Sequence, residues 1–357
     1  MLYIAIFVIF YIYCVSLCNK PYTKQDKVLK IGAVVIAVLI GFRKGWPDED
    51  AYLFAFNGAP YLNEFSWDTQ PLAYAELGYF YLASVIKTIY FNSTFYFLVM
   101  GGLSMFLLYK NLQRYSVFPL IGLCVYIGRF LLNRDFIQMR SSLSILLVLL
   151  GIYLIKERKM WHYLLLVFVA YQFHHMAIIG LPLYFLCLLK LKKSHIVIGL
   201  VLAFIVSQVM FSSIANFVEA YSEDLQYSTY TEGMYVDEAK GLANPMIYFQ
   251  VGILLMFTFM EDRLRCFSSY YDVYRTGYFY STLFLIIFCN YTALSGRTST
   301  MFATLEIFML PLMAKSLSKK WRTIFLLACG VVFVYFFHDK YSSAMIMMRG
   351  EQILQQL

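Results

Sequence analysis

Between Arg140 and His175 the chain carries two apolar stretches, residues 141–155 and 161–173, separated only by the polar knot Lys156, Glu157, Arg158 and Lys159. Apolar segments this long, turned by a basic cluster, are antiparallel helices that return His174 and His175 to the end where Arg140 began. At about 1.5 Å per residue each stretch nears the ~30 Å hydrocarbon thickness only when its flanks are included. A water-soluble core hairpin has the same local pattern, so composition decides. The chain is 61% hydrophobic and 14% charged over 357 residues, with a mean hydropathy of +0.65. A surface so poor in charge does not suit a soluble protein, and the hairpin is expected to span a membrane.

The same arithmetic extends to the rest of the chain. We expect an all-α polytopic integral membrane protein, a single transmembrane domain over 1–357, with about twelve crossings and thirteen as the alternative. The first apolar stretch, 1–18, has no basic start and no small-residue cleavage site, so it is expected to stay as a helix. Further crossings are expected over 28–42, 94–109, 116–130, 176–189, 195–211, 246–260, 277–291, 300–314 and 323–338. With residues 77–91 held as an interfacial or re-entrant helix that does not cross, roughly two-thirds of the 29 Lys and Arg residues fall on one side. That side is the cytoplasm, and the acidic residues concentrate on the other. Two larger outer loops result, 43–93 and 212–245. The net charge of +8 is therefore a topological signal, and nucleic acid is not an expected partner. The seven cysteines fall in apolar segments or an inner loop, which gives no disulfide framework.

Arginines that break the charge pattern point to chemistry. Arg43, Arg129, Arg134, Arg140 and Arg297 fall at or beside outer helix ends, where a guanidinium fork matches phosphate oxygens. Helix-end anchoring explains any single one, less so the group. His174 and His175 end a crossing at the same level and suit proton transfer or phosphate binding. Asp48, Asp50 and Glu76 are alternative bases, and Trp46, Tyr52, Tyr61 and Trp67 are aromatics for the membrane interface or for stacking on sugar rings. No metal-ligand spacing occurs. Glu306, a carboxylate inside an apolar stretch, calls for a cationic partner from another helix.

Several of these residues resemble, in order, the motifs of the EpsG and Wzy-type membrane polymerases of bacterial surface polysaccharides. They are Gly41-Phe42-Arg43 followed by Asp48 and Tyr52, Glu76 opening a short apolar helix, and Arg140 before a small-residue helix start. Phe173-His174 with Ala177-Ile178-Ile179 follows, then Gly296-Arg297 before a stretch ending Leu310-Pro311. Trp46-Pro47 stands where the family commonly has Gly-Thr, and Ser141 where it has Gln. The resemblance implies a GT-C-like multi-pass enzyme of the bacterial inner membrane. That enzyme moves a growing glycan from undecaprenyl diphosphate to a lipid-linked repeat unit on the outer face, without cofactor or metal. Implied partners are these lipid-linked oligosaccharides, membrane lipid, a flippase and a chain-length regulator. Arg140, Arg297 and His174 take the catalytic roles by resemblance, with Arg43, Asp48, Tyr52 and Glu76 binding substrate, and Arg134 and His175 are added as substrate-binding candidates from their place at the same outer level. A lipid-linked oligosaccharide flippase and an O-antigen ligase are the rival functions.

Overall fold

The computed structural model describes residues 2–73, 75–209 and 240–354, all helix, turn or loop with no strand among them. The chain divides into two units, Met1–Ile178 with Glu306–Leu357, and Ile179–Leu305.

In the first unit, α1 (Leu2–Leu17) and α2 (Tyr22–Gly41) are followed by α3 (Glu49–Gly58), α4 (Leu77–Ile89) and α5 (Ser93–Tyr115). Asn92 starts α5 by accepting the Phe95 N–H at 3.0 Å, the usual work of an N-cap side chain. α2 and α5 pack antiparallel. Tyr109 at the far end of α5 donates to Asp26 near the start of α2 (2.9 Å), while a Cβ on Gly41 would lie 3.0 Å from Leu98. The chain thus leaves α2 and enters α5 at the same end of the pair, and residues 42–92 form an excursion from that end. Within it α3 and α4 run parallel. Tyr52 meets Tyr79 at their starts, and Lys87 Nζ donates to the Asn57 and Ala59 carbonyls at their ends (2.6 Å each).

α6 (Pro119–Tyr126) opens on a proline, which suits a first-turn position that needs no N–H. It continues through a π-helical turn, Ile127–Leu131, into Leu132–Arg134. Gly128 sits against α16 here, where a Cβ would fall 2.6 Å from Phe333 Cβ, and the widened turn carries Arg129. α7 (Met139–Lys156) and α8 (Met160–Tyr171) form the antiparallel hairpin. Gly151 meets Tyr163 near the turn and Ser144 donates to the His174 carbonyl (3.5 Å) at the open end. α9 (His175–Leu186) begins as a 3-10 turn before Pro182.

The second unit contains α10 (Lys193–Val209), α11 (Pro245–Phe259), α12 (Glu261–Arg265), α13 (Tyr271–Ile287) and α14 (Thr292–Ala303). Buried Arg275 is tied to Glu261 (3.1 Å) and to the Leu191 carbonyl (2.6 Å). The loop expected over 212–245 lies, up to residue 239, outside the described residues. The chain then returns to the first unit through α15 (Glu306–Ser316) and α16 (Lys319–Leu354), the latter packed antiparallel on α1 by the Tyr3–Tyr341 and Phe7–Phe337 ring contacts.

Among the described residues three helices are long and apolar enough to cross a membrane, Ser93–Tyr115, Met139–Lys156 and Lys319–Met348, and six shorter apolar helices accompany them. The all-α membrane character holds, whereas the count of twelve crossings exceeds what these lengths establish. The stretch expected to cross as 300–314 is not one helix. It breaks at Thr304 and Leu305, and Glu306 opens a new helix with its carboxylate 3.3 Å from Arg129 Nε. A fully buried carboxylate is held where a cation reaches it, and that fixes the break.

Candidate functional site

The site is assembled on an aromatic core where α3, α4, α5 and the start of α7 meet: Tyr52, Phe56, Tyr79, Phe80, Tyr96, Phe97, Met139 and Leu143 are all buried there. Tyr79 and Tyr96 share a hydroxyl–hydroxyl hydrogen bond inside it. The first turn of α4 docks on the end of α8 through the Tyr79 N–H and the Gln172 carbonyl (3.0 Å). Gly78 permits this approach, since a Cβ would stand 2.6 Å from Gln172 Cβ and 2.9 Å from its carbonyl oxygen. This docking carries Glu76, the residue just before α4, to the open end of the α7–α8 hairpin.

There Glu76 meets three donors or ring atoms. Arg140 Nη1 donates to Oε2 at 2.7 Å, and the His175 N–H donates to Oε1 at 3.3 Å. His174 Nδ1 lies 4.0 Å from Oε1, too far for a hydrogen bond. That nitrogen instead accepts the Met176 N–H at 3.1 Å, so a neutral His174 ring carries its proton on Nε2. The Glu76 side chain is 6% exposed, Arg140 21% and His174 20%, so the carboxylate is the inner member of the group and Arg140 and His174 lie at its edge.

A cavity of about 170 Å³ opens beside Arg140, lined also by Asp48, Ala51, Tyr52, Ala55, Ala73, Ala75 and Tyr79. Four described non-glycine residues have positive φ. Arg158 and Lys190 close turns after helix ends, but Asp48 (φ 63°) and Ala73 (φ 51°) both line this cavity. Left-handed backbone at non-glycine residues is tolerated where the surroundings over-determine it, and such positions cluster at functional sites. Asp48 stands just before α3, whose opening turn is set by Glu49 accepting the Trp46 N–H at 3.2 Å. Burial pushes the Tyr52 phenol up to about 12 despite the opposing pull of Arg140 and Arg43, so its hydroxyl remains a donor at neutral pH.

The sequence-derived residues thus separate. Arg140, Glu76, His174 and the His175 backbone form one cluster, and Asp48 and Tyr52 line its cavity. Arg43 lies behind the wall. Its guanidinium is 4.1 Å from the Phe97 ring and donates from Nη1 to the carbonyls of Asp135 (3.1 Å) and Phe136 (2.9 Å). Arg134 is buried over Phe130 (4.4 Å), outside the cavity lining. His175 offers its backbone, while its exposed ring packs on Tyr171 at 4.8 Å. Arg297 is exposed on α14 of the second unit.

One group escaped the sequence. Buried Asp135 accepts from Tyr126 Oη (2.6 Å) and Ser142 Oγ (2.7 Å), and those two hydroxyls lie 3.1 Å apart. Ser142 is two residues from Arg140, so the network pins the first turn of α7. Its trace in the sequence is the polar run Asn133-Arg134-Asp135 between apolar stretches.

No curated protein and no solved structure matches the chain. A model of the EpsG family matches residues 27–349, nearly the whole of it and every residue of the site. The chain therefore belongs to the EpsG family.

Proposed function

We propose that this protein is a polysaccharide polymerase of the bacterial inner membrane, of GT-C-like build with about twelve crossings. It transfers a growing glycan from undecaprenyl diphosphate to a lipid-linked repeat unit on the outer face. Family membership supports a polymerase-like role, and the observation that carries the finer reading is the Arg140 edge of the cavity beside Glu76 and His174.

In this reaction an acceptor hydroxyl oxygen forms a bond to the donor sugar's C1 as the bond from C1 to the diphosphate oxygen breaks. The bonding pair leaves with the diphosphate, whose growing negative charge needs fixed donors close by. Arg140 supplies a planar fork. His174 suits the same task because Nδ1 accepts the Met176 N–H, which leaves the proton of a neutral ring on Nε2 to donate to phosphate. The acceptor proton passes to a carboxylate, for which Asp48 is exposed on the cavity wall. Tyr52 adds a donor hydroxyl and a ring suited to a sugar. A flippase that delivers the repeat units and a regulator of chain length are the partners such a reaction requires.

Arg140→Lys tests the assignment. Lysine keeps the charge and loses the fork, so the polymer ladder is expected to collapse toward single repeat units with protein level unchanged, a rate loss of ~10²–10³. A helix anchor would tolerate lysine, which snorkels equally well, and a normal ladder would reject the role. Glycan profiling of a deletion strain separates the rivals: single-unit capping marks a polymerase, absent glycan a flippase, and unattached polymer a ligase.

A further inference from the structure

The donors around Glu76 are those that would be chosen for a phosphate. An arginine nitrogen at 2.7 Å and a backbone N–H at 3.3 Å hold its two oxygens, and a histidine ring stands within 4.0 Å. A carboxylate and one face of a phosphate present similar pairs of anionic oxygens to such a cradle. We propose that Glu76 is a resident stand-in for the substrate's diphosphate: its carboxylate occupies the anion cradle of Arg140 and the His175 N–H until the lipid-linked donor displaces it. This rests on the diphosphate chemistry assigned above to the same residues.

Three observations favour exchange over a permanent ion pair. Arg140 lines the cavity, so a ligand there reaches its guanidinium without unfolding any element. Arg140 is about one-fifth exposed and lines the cavity, whereas the Glu76 side chain is 6% exposed, so the guanidinium is the partner that an incoming ligand meets first. Glu76 also precedes α4 in extended backbone (φ −75°, ψ 152°) and caps no N–H of that helix, so its side chain can rotate away without breaking α4.

The physical advantage lies in the empty state. A guanidinium with no counter-charge in a largely buried, apolar setting is costly, and the site would collapse or bind stray anions. An internal carboxylate keeps the cradle in shape and sets a threshold that only a ligand with more charge and more oxygens, such as a diphosphate, exceeds. The exchange leaves Arg140 paired throughout.

The sign of one substitution distinguishes this role from that of a simple orienting partner. Glu76→Gln keeps the size and loses the charge, so the cradle has no competing anion. Purified full-length protein in detergent is titrated with undecaprenyl diphosphate, and separately with inorganic diphosphate, for wild type, Glu76→Gln and Glu76→Ala, with folding checked by thermal unfolding. Binding of undecaprenyl diphosphate is expected to tighten by about ten- to a hundredfold in both variants, the worth of one charge-assisted hydrogen bond. Inorganic diphosphate is expected to tighten in parallel, which marks the headgroup, not the lipid tail, as the displacing group. Weaker or unchanged binding in either folded variant overturns the stand-in, because an orienting carboxylate would lose the ligand when removed. Wild type that binds neither compound counts instead against the diphosphate reading of the whole site.

Discussion

Arg43 and Asp135 are 92 residues apart in sequence, yet Arg43 Nη1 donates to the Asp135 carbonyl at 3.1 Å and to the neighbouring Phe136 carbonyl at 2.9 Å. Those carbonyls belong to the turn that leads into α7, and Arg140 stands on the first turn of that helix. Trp46 packs on Phe136 with ring centroids 4.6 Å apart and closes the same corner. Arg43 thus holds the turn that leads into the helix carrying Arg140.

Substituting Arg43 by lysine should therefore lower stability as well as activity. One ammonium cannot reproduce a guanidinium held over the Phe97 ring while bonded to two carbonyls, and an unsatisfied buried carbonyl costs about 1–3 kcal/mol. A lowered melting temperature of the purified protein, together with a shortened polymer ladder, is the expected pair of results. An unchanged melting temperature would show that the clamp contributes nothing to the turn.

Asp48 should display opposite effects on stability and function. Its φ of 63° is relaxed by glycine, so Asp48→Gly is expected to raise stability by up to ~1 kcal/mol and to abolish polymer. Asp48→Asn tolerates the left-handed backbone nearly as well, and is expected to keep wild-type stability within ~0.5 kcal/mol while also abolishing polymer. Thermal unfolding beside a glycan gel reads both. Polymer made normally by Asp48→Asn would assign the base elsewhere.

The antiparallel pairing of α2 and α5 places Lys44 and Lys110 at opposite ends of that pair. With the basic side in the cytoplasm, a cysteine at position 44 should react with a membrane-impermeant thiol reagent on intact spheroplasts, and one at position 110 only after permeabilisation. External labelling of position 110 would invert the orientation and with it the outer placement of the cavity.

Much of this was legible without a structure because it depends on neighbours in sequence. Apolar length and the basic knot at 156–159 specify the α7–α8 hairpin, and the hairpin alone brings His174 back to Arg140. The ordered motifs also sufficed for the family, since each lies within a few residues of a helix end. Other features exist only through long-range packing. Glu76 finds Arg140 across 64 residues because Gly78 lets α4 touch α8. Arg43 clamps the backbone ahead of α7 because the Asp135 and Phe136 carbonyls come within its reach. Glu306 breaks an apolar stretch because Arg129 waits on another helix. Hydropathy records how much each segment prefers lipid to water. A buried charge is placed by the geometry of its partner, and that partner is chosen only when the helices close together.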